Sequence, residues 1–143
     1  MQIINPHKAA KRAEELFMSG WNCAESVFTA IYEQMNDNDV PVYMVTALGG
    51  GMGSRKTCGA LTGAIVALGL GYGRTQPDIE VKKLAYAKAN ELVTAFREMF
   101  HSTDCWELTN CELSEMERKA NCKQFVMKAA ELVSESLQQL IRK

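Results

Sequence analysis

Nine of the ten glycines in this 143-residue chain fall in one stretch, GGGMGSRKTCGALTGAIVALGLGYG, beginning at Gly49. Glycine inside a helix costs about 1 kcal/mol relative to alanine, so the dense first part of the stretch reads as a loop. From Thr57 onward the glycines thin out, and Gly59, Gly63, Ala67 and Gly71 recur every four residues. That repeat suits a buried helix with one smooth stripe, along which a second backbone can come close. A packing seam, rather than contact with a ligand, is its expected role.

Elsewhere apolar residues recur at three- and four-residue spacing, and period-two alternation is hard to find. The expected fold class is all-α. A single domain, residues 1–143, forms a bundle of five or six helices with the glycine-rich loop before a buried helix. Asn5 and Pro6 open a first helix whose apolar face is Ala9, Ala10, Ala13, Leu16 and Phe17, and Gly20 stops it. Asn22 with Glu25 makes a capping-box pattern for a second helix running to about Met35. Residues 40–48 are β-branched enough for a short strand, but Asp39 and Pro41 favour a short helix. Residues 78–100 form a long amphipathic helix with Val81, Leu84, Ala85, Leu92, Val93, Phe96 and Met99 inward, expected to be the central strut. Ser114 with Glu117 marks a turn. The last helix is expected to start at Asn121, with Gln124 in the capping-box position, and to bury Phe125, Val126, Ala129, Leu132, Val133, Leu137 and Leu140.

Composition narrows the function classes. With 47% hydrophobic and 23% charged residues the chain is globular, and a net charge of -1 gives no basic surplus for a nucleic acid. The longest apolar stretch, residues 60–72, is interrupted by glycines and is shorter than the roughly 20 residues of a membrane span. The N-terminal segment mixes charged with apolar residues, unlike a secretory signal, so a cytoplasmic location is expected. In such a reducing compartment, five cysteines beside two histidines point to a metal or to redox chemistry rather than to structural disulfides.

Each cysteine follows a residue of helix-capping type: Cys23 follows Asn22, Cys58 follows Thr57, Cys105 follows Asp104, Cys111 follows Asn110 and Cys122 follows Asn121. Three of these caps have Glu25, Glu107 or Gln124 at the capping-box position, whereas Ala60 stands there after Thr57. A helix N-terminus offers free amides and partial positive charge, which favour a thiolate and lower the thiol pKa. Convergence of Cys23, Cys58, Cys105 and Cys122 would build a thiolate cage. Cys111 is left out, because the Ser114 cap just beyond it implies that Asn110 ends a turn. The wide gaps between the four mean that tertiary structure has to assemble any metal site, and a lone buried cysteine often acts as an apolar filler.

Other motifs carry less. The glycine loop lacks the GxxxxGK[ST] phosphate-binding spacing, and the absence of CxxCH excludes covalent haem by that rule. His7 and His101 are expected in surface or capping roles, Arg55 and Lys56 on a solvated loop from which they could also hold an anionic cluster or substrate, and the methionines in the core.

The stretches WNCAESV at Cys23, GGGMGSRKTCGALTGA around Cys58, HSTDCWEL at Cys105 and ANCKQFVMKAAELV at Cys122 resemble the redox-active protein family named for its C_GCAxxG_C_C cysteine pattern. The resemblance covers nearly the whole chain. It implies a small helical prokaryotic protein with four characteristic cysteines and a redox or metal-binding role. A related domain occurs in split-Soret cytochromes, which combine haems with an iron-sulfur centre. Since this chain lacks haem-attachment motifs, only the cysteine centre would carry over, and Cys111 lies outside the family pattern. The expected function is therefore electron transfer through an iron-sulfur (or other metal) centre held by Cys23, Cys58, Cys105 and Cys122, with an unidentified redox partner protein and a possible homodimer. The alternatives are a metal-free thiol–disulfide redox protein using the same cysteines, and a zinc-bound or structural helical interaction module.

Overall fold

A computed structural model describes residues 4–109 and 115–141; Cys111 and Ser114, and with them the turn expected at Ser114, lie outside the described residues. Among the described residues six α-helices follow in order: α1 (Pro6–Met18), α2 (Cys23–Met35), α3 (Gly59–Tyr72), α4 (Ile79–Phe100), α5 (Cys105–Thr109) and α6 (Glu115–Ile141). A 3₁₀ helix (Val42–Leu48) and one wide turn (Gly51–Arg55) lie between α2 and α3. The all-α fold is as the apolar spacing requires, and among the described residues the only extended pairing is an isolated bridge between Thr57 and Asp104.

Several helix starts obey their local signals. Asn5 accepts a bond from the Lys8 amide at the start of α1. Asn22 and Glu25 form a complete capping box on α2. Asp78 accepts from the Glu80 and Val81 amides at the start of α4. His101 ends α4 in the left-handed conformation (φ 66°), a capping role, while His7 is exposed on α1.

The core is continuous and centres on α3 and α6, which pack on each other and on α2. The stripe on α3 explains how closely they pack. A Cβ on Gly63 would sit 2.7 Å from the Ala24 carbonyl oxygen of α2, and one on Gly71 would strike Leu137 of α6 at 2.5 Å. Phe125, Val126, Ala129, Val133 and Leu137 of α6 are buried, and the Tyr72 hydroxyl donates to the Ser136 carbonyl at 2.7 Å.

Two expectations fail here. Helix α4 is not the central strut: only Leu92 and Phe96 are buried on it, while Leu84 and Met99 are 46% and 50% exposed. Its apolar stripe is longer than the surface that α3 and α6 offer it. The last helix also starts earlier than Asn121, since α6 begins at Glu115 and takes in Glu117, Asn121 and Gln124. Asn121 donates instead to the Leu108 carbonyl at 3.0 Å, and Gln124 bonds back to Asn121 within the helix. Among the described residues no helix is long and apolar enough to cross a membrane.

Candidate functional site

Four separate elements bring Cys23, Cys58, Cys105 and Cys122 to the wall of one cavity of about 320 Å³. Phe17, Gly50, Arg55, Gly59, Ala60, Thr109, Arg118, Lys119 and Phe125 complete the lining.

Cys23 is the first residue of α2, fixed by the capping box around it. The Glu25 carboxylate accepts from the Asn22 amide at 3.0 Å and from the Thr46 hydroxyl at 2.7 Å, while Asn22 Nδ2 donates to the Thr46 carbonyl at 2.9 Å. The start of α2 is thus tied to the 3₁₀ helix. Gly59 stands against the Cys23 sulfur so closely that a Cβ there would overlap it. The first glycine of the stripe therefore belongs to the site, where the missing side chain makes room for sulfur.

Cys58 and Cys105 flank the bridge diagonally, Cys58 opposite Thr103 and Cys105 opposite Lys56. The Cys58 amide donates to the Thr103 carbonyl at 2.7 Å, and the Cys105 amide donates to the Lys56 carbonyl at 2.5 Å. This pairing is why Thr57 does not cap α3, as its residue type suggests. Thr57 lies in the extended bridge, and Cys58 itself occupies the cap position without a side-chain capping bond. Before the bridge, the backbone passes through left-handed residues at Gly50, Gly51, Met52, Gly53 and Arg55. At Gly51 a Cβ would meet the Cys105 Cβ at 2.8 Å, so glycine lets the loop close over α5. Arg55 is not on a solvated loop: it is half-buried, lines the cavity and donates to Thr109 Oγ1 at 3.4 Å, whereas Lys56 is exposed.

Cys105 begins α5, and Asp104 accepts from the Glu107 amide at 3.3 Å. Cys122 departs from the sequence pattern. It lies inside α6, so three of the four cysteines, not all four, stand at a helix start.

The expected lowering of the thiol pKa is also overturned. Burial is the main cause at every site, and all four thiols rise: Cys58 to about 12, with repulsion from Cys23 adding to burial, and Cys122 to about 11. Burial raises Cys23 as well, opposed by the amides of Gly50, Ala24 and Gly59, and it raises Cys105, opposed by Arg55. Desolvation of an anion outweighs the few amides at a helix tip. An attacking thiol has to be ionised near neutral pH, so this environment is poorly suited to unassisted thiol–disulfide exchange. The mutual repulsion nevertheless links Cys23 with the other three, as one cluster of sulfurs would. Among the described residues, no three His, Cys, Asp or Glu side chains already surround one ion position.

Sequence reasoning missed Arg118, Lys119, Thr109, Phe17 and Phe125 as neighbours of the cysteines. Arg118 had a signal: it precedes Cys122 by one helical turn and shares its face. The aromatic residues had none, because their place depends on tertiary packing.

The family described as "Putative redox-active protein (C_GCAxxG_C_C)" matches residues 21–136. The chain belongs to this family. A relative described as "Uncharacterized protein" from Archaeoglobus fulgidus is 32% identical over 141 residues, an overlap of 91% of this chain and 93% of the relative. No solved structure matches the chain. As a family member the protein shares a description that is redox-active, and the matched segment contains all four cavity cysteines.

Proposed function

We propose that Cys23, Cys58, Cys105 and Cys122 hold an iron-sulfur cluster and that the protein carries electrons. The observation that carries this reading is the meeting of four cysteines, from four elements, at one cavity. Four cysteine donors are the set that both common cluster types use. The residues present fit such a group in three respects. The donors are all sulfur. The cavity is wide rather than closed on a single point, which favours a polynuclear occupant over one zinc ion with sulfurs drawn to about 2.3 Å. Arg55 and Arg118 face the sulfurs and offset negative charge. When bound, the cluster supplies a one-electron couple. The chain's own part is to hold the sulfurs, to present amides to Cys23 and to exclude water with Phe17 and Phe125.

The test is anaerobic purification followed by assay of iron, acid-labile sulfide and zinc. Iron and sulfide in comparable amounts are expected, lost in Cys58→Ser and retained in Cys111→Ser. Wild-type protein without iron or sulfide overturns the reading, and stoichiometric zinc would put the zinc module in its place.

A further inference from the structure

The cavity lining combines two kinds of side chain. Beside the four sulfurs stand Arg55, Arg118 and Lys119; among the described residues no carboxylate lines it. Two of these cations have partners: the Lys119 ammonium lies over the Phe17 ring, 5.6 Å from its centroid, and Arg55 donates to Thr109. Arg118 differs. Its Nε is buried and has no hydrogen-bond partner among the described residues. A buried donor without an acceptor is uncommon in a folded protein and calls for an explanation such as a bound ion. Both guanidiniums lie close enough to the Cys122 sulfur to oppose the effect of its burial, and Arg55 does the same at Cys105.

We infer that Arg55 and Arg118 form an anion-holding wall of this cavity, with the Arg118 Nε–H kept for an acceptor on the negatively charged centre that the thiolates bind. The identity of that centre rests on the cluster reading; the attraction of the wall for anions does not. Both arginines are positioning residues. A guanidinium suits the task because it is always charged, weakly hydrated and planar, so it can sit against a buried anion without being deprotonated.

The wall is tested first in metal-free protein, with anionic iodoacetate and neutral iodoacetamide as paired probes. Each thiolate displaces iodide from either reagent, so the ratio of the two rates cancels the ionised fraction and reports attraction for the carboxylate. Rates are read by peptide mass spectrometry at Cys23 and Cys122, both half-buried, and divided by those of the unfolded chain. The folded protein is expected to favour iodoacetate roughly tenfold at low salt, a lead that shrinks as salt is added. Arg55→Gln and Arg118→Gln each reduce it severalfold, whereas Arg118→Lys keeps most of it. In cluster-loaded protein Arg118→Gln moves the midpoint potential to more negative values, because the reduced form carries the greater negative charge. A tenfold change in that equilibrium corresponds to ~59 mV for a one-electron couple.

A folded wild type with no preference for iodoacetate, or folded glutamine variants that keep the wild-type ratio, overturns the wall. Should Arg118→Gln fail to fold, Arg55→Gln carries the same test. Failure to bind iron and sulfide overturns the cluster reading alone, and the reagent ratio still decides the wall.

Discussion

Helix α3 is packed by different rules along its length. Its middle and C-terminal turns are pressed against backbone and branched side chains, with Gly63 on Ala24 and Gly71 on Leu137. Its N-terminal turn faces a cavity, and there Gly59 meets a sulfur. Small residues admit a neighbouring helix in the first region and, in the second, a cysteine sulfur with the backbone of Leu48 and Gly49. A stripe of one chemical kind thus serves adhesion at one end and chemistry at the other, and the partner across the stripe decides which.

The sharpest way to break this comparison is Gly63→Ala. The new Cβ would meet rigid α2 backbone, so stability should fall by about 3 kcal/mol, or ~10 °C in melting temperature, with iron per folded chain unchanged. A loss of iron at unchanged stability would mean that the seam belongs to the site. Alkaline pH probes the other end. In metal-free protein Cys58 stays protonated to about 12, while in the unfolded chain it ionises near 9.0. Its raised value contributes stability that is whole below pH 9 and is lost as pH climbs toward 12, at about 1 kcal/mol per pH unit. Cys122, partly exposed and screened, adds less up to about 11. Urea melts at pH 8 and 10 should show the fall, and Cys58→Ser should diminish it whereas Gly63→Ala should not. Asn22→Ala removes the cap before Cys23 and the tie to Thr46, and should cost about 1 kcal/mol in the same melts while loosening iron retention. The smallest effect has the opposite sign. A Cβ on Gly69, also in α3, meets nothing within 4 Å, and Gly69→Ala should stabilise by about 0.7 kcal/mol in thermal melts.

Much of the helical fold was legible because its signals are local. Asn5 with Pro6, Asn22 with Glu25, and Asp78 each cap the helix that their residue types announce. Residues 118–124 show the limit of such reading. Asn121 and Gln124 reproduce a capping box in sequence, yet the helix runs through them, and Asn121 serves α5 instead. Thr57 was a cap by type and became a bridge residue because Asp104 lies beside it. The four-cysteine set could be read from residue identity, but its electrostatics could not. The helix-tip argument counts amides and omits desolvation, which only burial in three dimensions reveals. The spacing of Arg118 from Cys122 was legible, but the burial of its Nε was not, for the same reason.

The two hydrogen bonds joining residues 56–58 to residues 103–105 also tie together segments far apart in the chain. They close a loop that contains all of α3 and α4, so the backbone at Cys58 and at Cys105 is held across one long closure. The lining of the cavity is therefore complete only in the folded chain, since its residues come from segments as far apart in sequence as Phe17 and Phe125.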